Sequence, residues 1–297
     1  MRITIIIHTA DEAALEALRA WSAERRAEGH QVSPRVTFEP GDAVWMAREA
    51  CERGCDLLIA AGGDGTLNET VNGLHAWLVD SAASGTSPRM AIVPLGTAND
   101  FAGMLEIPTE VQAALEVAIR GHDLPVDVGV VDDRCFVNVS TGGFGAEATE
   151  ETPEEAKRTL GPLAYLVTGV RKFATLEPLT ARITSRGQQV ADGRFMLFAV
   201  GNGRRTGGGN FLTPRAELSD GLLDLLLVEE MSRVEFLRLL PQLRAGDHLA
   251  HPRVIYRQLP ELVVEADEEL SVNVDGEPLS GRRFHYSVSE HPLWLRV

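Results

Sequence analysis

Hydrophobic positions in the first part of the chain switch repeatedly between strand and helix spacing. Residues 2–7 are an apolar, β-branched run, and residues 11–28 place Ala14, Leu15, Leu18 and Trp21 at helical intervals. Residues 32–38 alternate as a second strand. Residues 42–53 predict an amphipathic helix with Val44, Ala47 and Cys51 on one face. Residues 57–61 are a continuous apolar run bounded by turn residues, as expected of a buried strand in a parallel sheet. A loop over 81–89 leads to a fourth such strand at 90–93. Residues 109–120 then predict a capped helix that Gly121 stops. From Leu124 the texture changes to short alternating strands separated by turns: PVDVGVV, CFVNVS, TARITS, QQVADG, RFMLFAVG, LLDLLLV, ELVVEA and LSVNV. A helical insert, marked by Thr152, Pro153 and Glu155 and apolar over 163–173, interrupts them, and a helix capped by Ser232 and Glu235 follows at about 233–244. The pattern predicts an α/β domain with a parallel sheet over 1–122 and an antiparallel β-sandwich with a helical insert over 123–297.

The stretch of greatest chemical interest follows the third strand. Gly62, Gly63 and Gly65 lack a Cβ, so the chain there has access to left-handed φ and to close approach of its backbone N–H groups to a ligand. Thr66 and Glu69 have capping-box spacing, and Leu67, Val71 and Leu74 continue as a helix. Strand, glycine loop and helix N-terminus in that order suit a phosphate. A carboxylate inside the loop, Asp64, repels a phosphate unless a cation intervenes, so phosphate with a metal is favoured over a plain turn. A second loop, PLGTANDFA at 94–102, follows the fourth strand, with Thr97 and Asp100 at cap and N3 positions. In an open parallel sheet both loops face one crevice.

Composition narrows the chemistry. The 297 residues carry a formal net charge of −15, against general nucleic-acid binding and against membrane attachment by overall charge. No apolar run approaches the roughly eighteen residues of a spanning helix, and the amino terminus lacks a signal-peptide pattern, so the expected compartment is the cytosol. Cys51, Cys55 and Cys135 are too few and scattered for a zinc site or a disulfide framework, and read as buried thiols. Of 28 basic residues only Lys157 and Lys172 are lysines, and neither follows a glycine loop. That excludes a Walker A loop and the phosphate lysine of protein kinases. Any grip on phosphate comes from backbone, arginine and metal.

Five stretches carry a resemblance: GGDGTLNE at 62–69, PLGTANDFA at 94–102, NVSTGGFGA at 138–146, GNGRRTGGGNFLTPRAELSDGLLDL at 201–225 and VDGEP at 274–278. With them the sequence resembles the diacylglycerol kinase catalytic family over nearly its whole length, and is most similar to the bacterial YegS-type lipid kinases. The resemblance implies an α/β nucleotide domain, a β-sandwich domain, and a cleft where Mg-ATP meets a lipid hydroxyl. It implies ATP contacts at Thr37, Gly62, Gly63, Asp64, Gly65, Thr66, Leu67, Asn68 and Thr97, and a Mg²⁺ position at Asp220 with the carbonyls of Glu217 and Leu222. It implies a proton acceptor at Glu277, transient work at the inner face of the membrane, and phosphatidylglycerol or diacylglycerol as acceptor. The loop after the first strand, HTADE at 8–12, departs from the Asn-Pro-x-x-Gly of many relatives.

Each site also has a plainer reading. Asp64 could cap a helix, although Thr66 stands at that position, and Asp275-Gly276 between apolar runs is by pattern alone a hairpin signal. Asp64, Asp275 and Glu277 are therefore rival candidates for the general base. Gly207, Gly208 and Gly209, beside Arg204 and Arg205, read equally as a mobile loop or as an anion-attracting one. The histidines show no metal spacing. Two further classes stay open: a soluble-substrate kinase of the NAD-kinase type and a catalytically silent nucleotide sensor.

Overall fold

The computed structural model describes residues 1–80, 87–143 and 177–297. Most of the loop expected at 81–89 and the helical insert expected at 152–173 lie outside the described residues, as do Lys157 and Lys172. The chain opens as β1 (Arg2–Ile7), α1 (Glu12–Ala27), β2 (Gln31–Val36), α2 (Asp42–Glu52), β3 (Leu57–Gly62), α3 (Asp64–Asp80), β4 (Arg89–Pro94), α4 (Asp100–Met104), α5 (Val111–Arg120) and β5 (Asp123–Val126). β1 lies between β2 and β3, and β4 flanks β3, all parallel. Every residue of β3 is buried, as its unbroken apolar run requires of a strand covered on both faces. Helix starts follow local chemistry: Asp11 accepts from the N–H groups of Ala13 and Ala14 at α1, and Glu110 from those of Gln112 and Ala113 at α5. Such a cap contributes about 1 kcal/mol.

The chain continues through β6 (Gly129–Val131), β7 (Arg134–Phe136), β8 (Val139–Gly143), β9 (Leu179–Ser185), β10 (Gln188–Gly201), β11 (Leu223–Glu229), α6 (Arg233–Ala245), β12 (Val254–Leu259), β13 (Glu261–Val274) and β14 (Glu277–Val288). An antiparallel sheet runs β12-β11-β10-β8-β13-β14-β6, with β9 pairing β10 and β13. Two expected pairs of short strands are single long ones. QQVADG and RFMLFAVG together form β10, and ELVVEA and LSVNV form β13. In β10 the register against β9 shifts between Gln189 and Ala191, after which Asp192 and Gly193 pair regularly with Arg182 and Ala181; in β13 the acidic stretch is taken up by a register shift between Glu265 and Leu270, which bends the strand without ending it. Phe236, Leu239 and Leu243 of α6 pack on Val139, Leu197, Ala199, Leu226 and Val228 of the sheet. Each fully buried side chain of this kind contributes roughly 1.5–3 kcal/mol.

A last strand, β15 (Leu293–Arg296), returns to the first sheet, parallel to β4 and antiparallel to β5, completing the order β2-β1-β3-β4-β15-β5. The two compact units are residues 1–128 with 134–137 and 289–297, and residues 129–133 with 138–288. The first thus draws on both ends of the chain.

Candidate functional site

In the first unit, four connections leave the carboxyl ends of adjacent parallel strands and are tied together there. The His8 N–H donates to Ala61 O (2.9 Å), that of Thr37 to Ile7 O (3.0 Å) and that of Leu95 to Gly62 O (2.9 Å). Gly62 and Pro94 are in register, so the loops after β3 and β4 depart side by side. They meet glycine to glycine. A Cβ on Gly96 would lie 2.5 Å from the Gly63 Cα and 2.8 Å from Asn99 Oδ1, and one on Gly63 would lie 3.1 Å from the Gly96 Cα. The expected left-handed backbone is absent, because Gly62, Gly63 and Gly65 all have negative φ. These glycines serve close approach of backbone to backbone, the other use of a missing Cβ.

Two cap assignments change. α3 begins at Asp64, two residues before the expected cap Thr66, and the Leu67 N–H donates to Gly63 O (3.1 Å). Glu69 serves the neighbouring helix, where its carboxylate accepts from Gly41 N (2.9 Å) and Ala43 N (3.1 Å) at the start of α2. At α4 the cap position belongs to Asn99, in left-handed backbone, and not to Thr97. Asn99 folds its own loop by accepting from Gly96 N (3.0 Å) and donating to Gly96 O (2.7 Å), which leaves Thr97 exposed.

Asp64 joins the two loops, its Oδ1 accepting from the Phe101 N–H (3.4 Å). Burial raises its pKa, against the lowering effect of backbone N–H groups of Asp100 and Phe101, and the nearby charge of Asp100 raises it further. The fold therefore favours the protonated form more than the unfolded chain does. This contribution to stability is complete below the ordinary carboxylate range and is lost as pH rises through the raised value. Asp64→Asn, which keeps one acceptor oxygen, is expected to melt no lower than the parent at pH 7. Its advantage should shrink on acidification, as melts across a pH series will read.

The other implied ATP positions have distinct environments. The side chain of Leu67 is buried, so what it offers a ligand is backbone. Asn68 is buried and donates to Cys135 O (3.2 Å). The hydroxyl of buried Thr37 is hydrogen-bonded to His8 Nδ1 (2.8 Å). His8, which the sequence gives no role, thus stands at the strand ends beside a candidate contact. All three cysteines are buried and free, and burial pushes the thiols of Cys51 and Cys135 up to about 12.

In the second unit, Val274 pairs with Glu277, so Asp275 and Gly276 form a two-residue hairpin turn with φ of 48° and 102°. The hairpin reading of VDGEP is correct. The Asp275 carboxylate accepts from the N–H groups of Asn138 (3.1 Å) and Val139 (3.0 Å), clamping the turn to the start of β8. Glu277, by contrast, is exposed as the first residue of β14.

Glu217, Asp220 and Leu222 lie in the loop from β10 to β11. Asp220 Oδ1 accepts from the Leu222 N–H (3.0 Å) in a turn completed by left-handed Gly221. Sequence reasoning missed Asp224, which sits fully buried on β11 just beyond this turn. Its carboxylate accepts from the Tyr256 hydroxyl (2.6 Å). Burial, with smaller effects of the Asp220 and Glu217 charges, pushes its pKa up to about 6. A buried Asp in an otherwise apolar LLDLLLV run was the available signal. Among the described residues no three His, Cys, Asp or Glu side chains come together to hold a metal. The implied set needs only one carboxylate with carbonyl oxygens, and Asp220, on a loop turned by Gly221 and with Glu217 near enough for both charges to act on Asp224, offers donor chemistry that suits a hard cation.

Residues 2–131 match the model of the diacylglycerol kinase catalytic domain, and residues 138–297 match the YegS C-terminal NAD kinase beta sandwich-like domain. A parallel-sheet catalytic unit and an antiparallel unit of these two kinds define a kinase. A Pseudomonas aeruginosa protein named "Probable lipid kinase YegS-like" is 38% identical over 296 residues, covering 100% of this chain and 93% of that relative. The chain belongs to the diacylglycerol kinase family, in its YegS-type branch, and is a lipid kinase. A crystal structure of a diacylglycerol kinase from Bacillus anthracis str. Sterne, 22% identical, superposes with a TM-score of 0.71 over 99% of this chain and 96% of that one. Yeast NADH kinase, 12% identical, does so with 0.53 over 99% and 82%. Both show the shared fold alone. The fold is common to kinases of different substrates, so it does not choose among them.

Proposed function

We propose that this protein transfers the γ-phosphoryl group of ATP, in a Mg²⁺-dependent reaction, to a hydroxyl of a glycerolipid, phosphatidylglycerol or diacylglycerol, at the membrane surface. The observation that carries the reading is the contact of Gly63 with Gly96, which brings two loops and the Asp64 carboxylate together at the carboxyl ends of β3 and β4. In this reading the N–H groups at the start of α3 bind phosphate oxygens, with the exposed Thr97 hydroxyl at the rim. Thr37, Thr66, Leu67 and Asn68 complete the ATP contacts of this reading, Leu67 through its backbone. Asp64 orients the phosphate end of the donor, Glu277 takes the proton of the acceptor hydroxyl, and Asp275 holds the turn that carries Glu277. Asp220, with the carbonyls of Glu217 and Leu222, would hold Mg²⁺, whose chemistry when bound is to neutralise charge crowded in this loop.

Labelled ATP offered with a panel of lipid alcohols in mixed micelles, with NAD as the soluble control, tests the reading. Label on a glycerolipid is expected; label on NAD alone would overturn it. For the cation, Asp220→Ala is expected to abolish a Mg²⁺-dependent gain of melting temperature seen in the parent, since a ligand of the folded state stabilises by mass action. Equal stabilisation of both proteins by Mg²⁺ would remove Asp220 from the assignment.

A further inference from the structure

α6 is apolar on two opposite sides. Phe236, Leu239 and Leu243 are buried against the sheet, as a helix of one amphipathic stripe requires. On the outward side Val234 and Leu237 are 57% and 46% exposed, and Pro241 and Ala245, at the next turns of the same stripe, are exposed as well. Single exposed apolar residues are ordinary, but a stripe over three turns is not. Its flanks are basic: Arg233 and Arg244 border one side and Arg238 the other, all exposed. The one acid of the helix, Glu235, is held in the capping box by the N–H (3.0 Å) and hydroxyl (2.6 Å) of Ser232, and Asp247 lies beyond the helix end. At that end the Phe211 N–H donates to Arg244 O (3.2 Å), and the Arg205 guanidinium lies 4.5 Å from the centre of the Phe211 ring. The arginine and glycine loop at 204–209 thereby adjoins the carboxyl end of α6. In a chain of net charge −15, this is a local cationic face with an apolar centre.

We propose that the outward face of α6, with Arg205 at its edge, docks on the surface of an anionic phospholipid bilayer. The stripe of Val234, Leu237, Pro241 and Ala245 enters the boundary between headgroups and acyl chains. The arginine stems follow it while their guanidinium groups remain at the headgroups. Charge complementarity selects this occupant: the arginine flanks meet anionic headgroups while the apolar centre meets the acyl boundary, and contact with a second copy is the alternative that the test reads. The inference rests on the lipid-kinase reading only for its purpose, namely bringing a soluble unit to an acceptor that resides in a membrane.

The test measures co-sedimentation with vesicles of phosphatidylcholine and of phosphatidylcholine mixed with phosphatidylserine. It compares the parent, Val234→Asp/Leu237→Asp and Arg238→Glu/Arg244→Glu, with Val234→Ala/Leu237→Ala as a milder pair and melts to verify folding. The parent is expected to prefer the anionic vesicles. Each arginine reversed should weaken binding by about fivefold or more, and the double aspartate by at least about tenfold. Turnover of a short-chain glycerolipid dissolved as monomers should stay parental in every variant. Unchanged vesicle binding in both charged variants overturns the proposal. So does a change of self-association by sedimentation equilibrium with vesicle binding intact, which would make the face a contact between copies. If no lipid is phosphorylated in either form while the variants still lose vesicle binding, the docking face stands and the acceptor assignment falls.

Discussion

Glu277→Gln is expected to lower kcat on the best glycerolipid acceptor by about a hundred- to ten-thousand-fold, the usual cost of losing a positioned proton acceptor. ATP affinity and melting temperature should stay near parental, because Glu277 is exposed on the first residue of β14 and glutamine keeps its size and reach. Of its rivals, Asp275 is committed to two N–H groups of β8, so Asp275→Ala should show mainly as lost stability, about 1–3 kcal/mol for buried donors left unmade. Asp64 is bound to the helix start that follows the second glycine loop, where it orients better than it accepts a proton. Steady-state kinetics of the three variants beside thermal melts separate these roles. Near-parental turnover by Glu277→Gln with a dead Asp64→Asn would move the base to Asp64.

The parallel sheet was legible because its central strands β1, β3 and β4 are covered on both faces and read as apolar runs, as at 57–61, while the edge strand β2, largely exposed, showed as an alternation. The loops after β3 and β4 were legible as neighbours for a topological reason, that adjacent parallel strands end at one edge. What could not be read was which partner each polar side chain would take. Glu69 has capping-box spacing to Thr66, yet the packing of α2 beside α3 offers it the unpaired N–H groups of Gly41 and Ala43. Local spacing lost to a tertiary contact invisible along the chain. The same holds for Asp275: the hairpin was plain in the sequence, while its clamp reaches residues more than a hundred positions away. The long strands β10 and β13 divide in the sequence because Asp-Gly and acidic stretches signal turns, whereas Asp192 and Gly193 pair in register with β9 and a bulge accommodates the acids of β13. Asp224 went unseen because its environment depends on Tyr256, which only the pairing of β11 with β12 supplies.

Two glycine substitutions are expected to move stability in opposite directions, and that contrast isolates the phosphate. Gly96→Ala sets a Cβ against the Gly63 backbone, where no side chain can rotate away. Forcing the loops apart should cost about 1–3 kcal/mol of stability and disturb Asp64 with them, so affinity for ATP falls together with the melting temperature. Gly65 is the cleaner probe. It is exposed in the first turn of α3, has ordinary helical backbone, and a Cβ there would meet nothing within 4 Å among the described residues. On the fold alone, alanine at this position should stabilise by about 0.5–1 kcal/mol, because it narrows the unfolded ensemble and favours the helix. If backbone N–H groups at the start of α3 hold the phosphates, the same methyl group stands where their oxygens approach, and ATP affinity should fall by about ten- to a hundredfold. Nucleotide titration beside thermal melts reads both signs at once. A Gly65→Ala protein that melts higher and binds ATP as well as the parent would mean that the phosphates lie elsewhere, because nothing among the described residues opposes the added methyl.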